Sequence, residues 1–384
     1  MTENYLDQFS ILHLQKDTIE KINKQKTPAT ISGGLMFKPR TVQDYIQVRS
    51  SNCNAINVPV EIRGDVSDCS NMFNGCSALN QPIDIPYGVT NCSNMFNGCS
   101  AFGSNINVFN VYDCSNMFRR CSMGGSSVNI SNSYNCNHMF YINGNSVKPN
   151  VKLSISNVHT CYQMFKGDTY DSAAYVNATV TNVNNCVSMF SGLNYSKINI
   201  DISNVDNASS MIHVSNSSTI RANISNINNC YSLISSGSWS HIYVNVTNMN
   251  NCNKLFGSLY NTDADIKITN VNDCSYMFSY VYGNYNYNDS IINLNISNIN
   301  NCYRMFNYIY NASINAYITN LNPNVNTDLM FMRKYNTNIQ LHVDDLSLYS
   351  KPGVFCQIDG NNINLSSNAT ALWNSSYNIY VYKI

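Results

Sequence analysis

One short motif returns along most of the chain and limits the folds it can adopt. A Met-Phe-like pair occurs twelve times, at intervals of 22 to 28 residues. The first residues of the pairs are Met72, Met95, Met117, Met139, Met164, Met189, Met211, Leu233, Leu255, Met277, Met305 and Met330. Self-similarity at such a period is typical of solenoid proteins, in which each copy forms one coil.

A short alternating run precedes the pair and supplies the predicted strand. Ile200-Asp-Ile202, Val244-Asn-Val246 and Ile266-Lys-Ile268 each place two apolar residues around a polar one. Because side chains alternate across a strand, the apolar pair faces the core. Three residues bury too little alone, but stacked copies become rungs of a short parallel sheet. The sequence therefore predicts a β-rich solenoid of about twelve coils, with the Met-Phe pairs on the opposite wall.

Two further positions repeat with the pair. Nine copies carry Asn seven residues before it, for example Asn204 and Asn226, and we expect these amides to form an internal ladder that satisfies turn backbone groups. Ten copies carry Cys three residues before it, and we expect a buried structural ladder of Cys69, Cys92, Cys114, Cys136, Cys161, Cys186, Cys230, Cys252, Cys274 and Cys302. Stacked thiols have parallel Cα–Cβ vectors, which favours reduced core cysteines over disulfides or a metal site.

The early copies resemble a known repeat. The shared order of Cys, Leu, Ile-x-Ile-Pro, Val and Phe-x-x-Cys is carried by Cys76-Ser-Ala-Leu79, Ile83-Asp-Ile85-Pro86, Val89, Cys92, Met95-Phe96 and Cys99. This order resembles the BspA-like leucine-rich repeats and the related MF-type surface-protein repeats. The resemblance covers residues 53–334 and is closest in residues 53–125. It implies a leucine-rich-repeat-like right-handed coil, and a non-catalytic adhesin, surface antigen or phage virion protein.

The two ends leave the repeat, so we divide the chain into residues 1–52, 53–334 and 335–384. Apolar residues spaced through Asn4 to Lys24 predict one amphipathic helix, followed by loop. This N-terminal segment would either cap the first coil or dock onto a partner. Residues 339–343 and 377–382 are predicted strands of a C-terminal β cap.

The centre of each predicted strand points away from the core and is mostly Asn, Ser or Thr. Asn223, Asn245 and Asn295 are candidate partner-binding residues on this polar strip. Two interpretations stay open for the strip: a solvated solenoid face, or a hydrogen-bonding surface for glycan or protein.

Tyrosines concentrate in the late loops after the Met-Phe pair. The candidate partner-binding residues there are Tyr276, Tyr280, Tyr282, Tyr285, Tyr287, Tyr303, Tyr308 and Tyr310. Tyr beside Asn, Ser and Gly is the chemistry of adaptable binding loops. Contact with a partner, including a second copy of the chain, and packing between coils are both open interpretations.

Composition and motifs exclude several function classes. The chain balances 22 Lys plus Arg against 22 Asp plus Glu, which gives no electrostatic footprint for nucleic acid. No stretch of 18 apolar residues exists, so we expect no membrane span. The six His lack metal-ligand spacing, and neither a phosphate-binding Gly loop nor a nucleophile elbow is present. We expect no enzyme activity, no cofactor and no metal.

These expectations combine into one functional prediction. The first residues lack a basic region followed by an apolar core, so no export signal is expected. We therefore predict a structural or adhesive virion protein, such as a phage head or tail fibre or a decoration protein, assembled in the host cytoplasm. Its N-terminal segment would contact other virion or surface proteins, and its polar surface a host glycan or receptor. A homo-oligomer is possible in this arrangement, and the alternative is a bacterial cell-surface leucine-rich-repeat adhesin.

Overall fold

The computed structural model describes residues 5–6, 36–37, 57, 60–62, 66–142, 148–167, 172–283, 290–331, 334–335, 337–348, 371–374 and 379–383. The chain divides into two compact units, Met1–Asn184 and Asn185–Ile384. Both are parallel β-solenoid, with about ten turns in total against the twelve predicted. The solenoid is confirmed, and the only helix among the described residues is a three-residue 3-10 turn.

The first unit contains short early strands and longer late ones. The strands are β1 (Tyr5–Leu6), β2 (Met36–Phe37), β3 (Ile106–Phe109), β4 (Ser126–Ser131), β5 (Asn150–Thr160), β6 (Phe165–Lys166) and β7 (Tyr175–Asn185). Strands β3, β4 and β5 pair in parallel and in order, with Asn107 opposite Asn129 and Asn129 opposite Ser154. The first unit therefore builds its sheet one rung per repeat.

The predicted N-terminal helix is not supported. Most of residues 4–24 lie outside the described residues. The two that are described, Tyr5–Leu6, form strand β1, which pairs in parallel with β2. A strand at this point is incompatible with a helix that runs through Leu6.

The second unit carries two parallel sheets. Its elements are β8 (Phe190–Asn194), β9 (Lys197–Asn207), β10 (Ile212–Asn216), β11 (Thr219–Asn229), β12 (Ile234–Ser238), β13 (His241–Asn251), β14 (Phe256–Tyr260), β15 (Asp263–Asp273), β16 (Phe278–Tyr282), β17 (Ser290–Asn301), β18 (Phe306–Tyr310), β19 (Ala312–Thr319), β20 (Lys334–Tyr335), β21 (Asn338–Val343), the 3-10 turn Leu346–Leu348, β22 (Ala371–Asn374) and β23 (Ile379–Lys383). The main sheet runs β9-β11-β13-β15-β17-β19-β21-β23-β22, and the second sheet runs β8-β10-β12-β14-β16-β18-β20.

The repeated strands of the main sheet are longer than the sequence predicts. Strand β11 has eleven residues, where a three-residue rung was expected. Ile220, Ala222 and Ile224 face the core in strict alternation. Asn226 then adopts a left-handed backbone with φ of 53°, and Ile227 turns back into the core. The chain thus bends around a corner without leaving the strand.

The Asn ladder lies outside the coil, which corrects the expectation of an internal ladder. The side chains are exposed, and in six copies the amide nitrogen donates to the side-chain oxygen of the preceding copy, as from Asn226 to Asn204 at 3.1 Å. Asn is enriched at positive φ because its short side chain tolerates the left-handed region. The repeat therefore requires Asn for the corner, and the ladder follows from the stacking.

The core lies between the two walls of the coil. The aliphatic residues of the main sheet face a column of stacked rings, as between Phe256 and Phe278 with centroids 5.2 Å apart. All ten predicted ladder cysteines are reduced and buried. Cys76, outside that ladder, is disulfide-bonded, so not every core cysteine is reduced.

Both strands predicted at the C-terminal end are present. Strands β21 and β23 continue the main sheet in parallel, with Leu341 opposite Val381. Strand β22 pairs antiparallel with β23 and is the last strand in the sheet order.

Candidate binding surface

The predicted polar strip lies on the outer face of the main sheet of the second unit. Asn223, Asn245 and Asn295 are exposed and occupy one column with Lys267. The Asn245 amide donates to Asn223 at 2.8 Å, and the Asn223 amide donates to Asp201 at 2.7 Å. These amides therefore hydrogen-bond to one another along the column and remain exposed to solvent.

The predicted tyrosines that the structure describes belong to the second sheet or to the turns leading into it. Tyr282 stacks between Tyr260 and Tyr310, with centroids 5.2 and 5.0 Å away, and Tyr280 stacks on Tyr308 at 5.0 Å. The rings therefore pack between coils, as one of the two interpretations holds. Tyr280 nevertheless remains 40% exposed, so packing and contact with a partner are compatible.

Tyr276 and Tyr303 lie in the turns before strands β16 and β18. Their rings meet edge to face at 5.5 Å, and the Arg304 guanidinium lies 5.1 Å from the Tyr303 ring and donates to the Tyr276 hydroxyl at 3.2 Å. Tyr285 and Tyr287 lie outside the described residues.

A groove of about 470 Å³ opens on the second sheet beside these rings. It is lined by His213, Ser215, Tyr231, Ser232, Ser235, Lys254, Gly257, Ser258, Tyr260, Ser279 and Tyr280. We call it the tyrosine-serine groove. Tyr231, Tyr260 and Tyr280 contribute partly exposed rings, while the Ser and Gly positions supply short side chains. Aromatic rings beside small polar groups are typical of sites that hold a small ligand.

The charge of the groove comes from Lys254. Its ammonium donates to the Tyr231 hydroxyl at 3.0 Å and lies 5.3 Å from the centre of that ring. Partial desolvation lowers the pKa of His213, which favours the neutral imidazole near pH 7. Since the lining contains no carboxylate, the groove carries net positive charge.

One pair in the groove has the contact of a nucleophile and a base. His213 Nδ1 and the Ser235 hydroxyl share a hydrogen bond at 2.8 Å. A catalytic pair of this type normally has a third group that orients the imidazole. Among the described residues, no carboxylate forms an ion pair with His213. The histidine ion pair in this part of the chain joins His241 and Asp263. Within the part of the chain that the structure describes, the His213 and Ser235 pair therefore has no carboxylate ion-paired to the imidazole.

A second groove follows the exposed corner of the same unit. It measures about 650 Å³ and runs between two amide ladders, one through Asn248, Asn270 and Asn298, the other including Asn272 and Asn300. Asn270 donates to Asn248 at 3.1 Å, and Asn300 donates to Asn272 at 2.7 Å. These amides already bond along the ladders, so the corner groove is mainly a structural feature.

The structure does not bring the two predicted residue sets together. The Asn strip lies on the main sheet and the tyrosines on the second wall. Sequence reasoning missed Tyr231, Lys254, Tyr260 and His213. Aligning every copy on its Met would have found part of the groove, because Tyr260, Tyr282 and Tyr310 all stand five residues after that position.

Metal and membrane signals are absent from the described part of the chain. No three His, Cys, Asp or Glu side chains there come together as a metal ligand set. No helix among the same residues has the length and apolar character needed to cross a membrane.

Comparison with known proteins gives one family. The model described as "Mycoplasma protein of unknown function, DUF285" matches residues 62–152, 113–227 and 229–343, which together make up more than half of the chain. Neither the curated proteins nor the solved structures yield a match.

Proposed function

The chain belongs to the family described as Mycoplasma protein of unknown function, DUF285, and from that premise we propose that it is a non-enzymatic adhesive or structural protein. Its solenoid presents Asn, Ser, Thr and Tyr side chains for contact with glycan or protein. The N-terminal segment attaches the chain to other proteins, and the C-terminal strands close the solenoid.

The observation that carries the proposal is the tyrosine-serine groove. Tyr231, Tyr260 and Tyr280 are 45%, 42% and 40% exposed, although large rings gain most from burial. Tyr is enriched at protein interfaces because it offers rigid aromatic area together with a hydroxyl. Three exposed aromatic rings that line one groove support a role in contact with a partner.

Two settings are proposed for this function. The first is a virion, where the chain would be a head or tail fibre or a decoration protein. The second is the surface of a bacterial cell, where it would be an adhesin. The family description names Mycoplasma, and this supports the cellular setting over the virion.

Adhesion is tested with beads coated with the full chain and incubated with cultured animal cells. We expect the coated beads to adhere, and a Tyr260→Ser/Tyr280→Ser double variant to reduce adhesion several-fold. Tyr243→Ser is the matched control, because Tyr243 is also 40% exposed but lies on the main sheet. Equal adhesion of coated and uncoated beads would contradict the proposal.

The non-enzymatic part is tested at the Ser235 and His213 pair. We expect the chain to hydrolyse p-nitrophenyl acetate no faster than its Ser235→Ala variant. A rate that Ser235→Ala abolishes while circular dichroism stays unchanged would make the chain a hydrolase.

The cell-surface and virion settings are separated by mass spectrometry. Peptides that trypsin releases from intact cells are compared with peptides from purified phage particles.

A further inference from the structure

The tyrosine-serine groove contains a positive charge that no described residue neutralises. Lys254 forms no ion pair in the described part of the chain, and its closest polar contact is the Tyr231 hydroxyl at 3.0 Å. Lys254 is half-buried, so its ammonium is held in place against the Tyr231 ring. A fixed cation beside an aromatic ring in a groove without carboxylates favours an anionic ligand.

The floor of the groove favours a ligand rich in hydroxyl groups. Ser215, Ser235, Ser258 and Ser279 each carry a hydroxyl that both donates and accepts. Gly257 adds no side chain to the lining, and a Cβ at this position would force the Ser232 hydroxyl to move. Ser235 and Ser279 already bond to His213 and to the Tyr276 carbonyl, but a flat aliphatic side chain would leave the Ser215 and Ser258 hydroxyls without a ligand partner, which costs affinity.

The tyrosines supply the remaining contact. Tyr260 and Tyr280 give apolar ring surface at the edge of the groove, and the groove volume of about 470 Å³ suits one or two small rings. A sugar combines an apolar face of C–H groups with hydroxyls around its rim, and so matches rings and serines together.

We propose that the tyrosine-serine groove binds a carboxylated sugar at the end of a glycan, with the sugar ring against Tyr260 and Tyr280 and its carboxylate on Lys254. This inference rests on the proposed adhesive function and names the ligand class of that site. Protein partners and neutral sugars do not need the fixed, unneutralised cation.

The repeat provides a matched pair of variants for the test. Lys254 and Arg304 both stand two residues after the ladder cysteine, with φ of 54° and 50°, and both place a cation over a tyrosine ring. Early copies carry Asn at this position, as in Asn71 and Asn94 with φ of 57° and 55°. Lys254→Asn and Arg304→Asn therefore remove one charge each while keeping a residue that tolerates the turn, and only the first changes the groove.

Binding is measured by isothermal titration of the full chain with three ligands that share one ring: methyl β-D-glucuronide, methyl β-D-glucoside and glucose 6-sulfate. We expect the glucuronide to bind at least about tenfold more tightly than the glucoside, because a charge-assisted hydrogen bond is worth more than a neutral one. Lys254→Asn should remove this preference, and Arg304→Asn should keep it. Tyr280→Ser should weaken the binding of both sugars, and Tyr243→Ser should weaken the binding of neither.

Several outcomes would overturn the inference. Equal affinity for glucuronide and glucoside would remove the acidic specificity, and tighter binding of the sulfate would assign the cation to a sulfated sugar. A preference lost equally in Lys254→Asn and Arg304→Asn would indicate an unspecific charge effect. If no sugar binds while coated beads still adhere, the adhesive function stands and the carboxylated-sugar site is wrong.

Discussion

The first turns of the solenoid, residues 66–105, and the turns of the second unit share one wall and differ in the other. In both regions the residue two positions after the ladder cysteine has a left-handed backbone, as at Asn94 and Tyr276 with φ of 55° and 54°. The rings behind it stack alike, at 5.6 Å between Phe73 and Phe96 and 5.2 Å in the second unit. The thiol and Phe wall is therefore the constant part of the repeat.

The opposite wall separates the two regions. Residues 66–105 contain turns and isolated bridges but no strand, although their sequence is closest to the leucine-rich-repeat pattern. Pro82 and Pro86 lie where later copies have alternating residues, and proline lacks the N–H that a parallel ladder needs. These copies also carry a second buried thiol, and Cys99 Sγ donates to the Phe73 carbonyl at 2.9 Å. Strand length therefore depends on the alternating run, and the Met-Phe motif alone does not create a strand.

The shared wall predicts the largest effect. Phe96→Ala and Phe278→Ala each remove a fully buried ring from the equivalent position of two copies, so each should lower the free energy of unfolding by about 3–5 kcal/mol. Urea denaturation followed by circular dichroism measures both. If one variant lowers the free energy of unfolding by several kcal/mol and the other leaves it almost unchanged, the two regions do not share this wall.

The variable wall predicts an effect of proline that depends on the region. Asn245 lies in strand β13, which pairs with β11 and β15. Asn245→Pro removes a ladder hydrogen bond, so it should lower the free energy of unfolding by about 1–3 kcal/mol more than Asn245→Ala does. Asp84 lies between two prolines outside any strand, so Asp84→Pro should differ less from Asp84→Ala. Urea midpoints of the four variants give the comparison, and an equal penalty at both sites would refute it.

The left-handed positions should respond alike in the two regions. Asn94→Ala and Asn226→Ala both place a methyl side chain, which cannot hydrogen-bond, at positive φ, at an expected cost of about 1–2 kcal/mol. Asn226→Gly should recover part of that cost because glycine accepts this backbone conformation. Thermal unfolding of matched Ala and Gly variants measures the difference. A glycine variant less stable than its alanine counterpart would show that the ladder amide matters more than the backbone.

The smallest effect at neutral pH concerns the buried thiols. Burial raises the pKa of Cys99 in the first turns and of Cys302 in the second unit, to about 12 in both. A raised folded-state pKa gives stability that is complete below the unfolded value near pH 9 and is lost as the pH rises towards 12. Urea midpoints should thus change little from pH 7 to 8 and fall above pH 9.

Cys99→Ala and Cys302→Ala are the controls for this pH effect, and each should flatten the alkaline fall. In the native protein iodoacetamide should label neither thiol quickly at pH 8, because only the thiolate reacts. Rapid labelling under native conditions would place the sulfurs at the surface.

Much of the fold follows from the repeat, and the candidate site follows only in part. Sequence spacing predicted the stacked coils, the buried cysteine ladder positions and the two C-terminal strands. It did not predict the corner at Asn226, because backbone handedness is not visible in an apolar pattern. It also placed the ladder amides inside, since a residue that follows an alternating run can face either way until the turn is known.

The tyrosine-serine groove shows the limit most clearly. Tyr280 and Lys254 lie in different copies and belong to one groove only because the coils stack in register.

Local chemistry, read from the sequence alone, determined that equivalent residues would lie above one another, because each coil can bury its apolar residues only against the next. The tertiary structure alone decided which neighbours across coils form a cavity and which close it. That outcome depends on the direction of each turn and on the size of side chains in neighbouring copies, such as Gly257 beside Ser232.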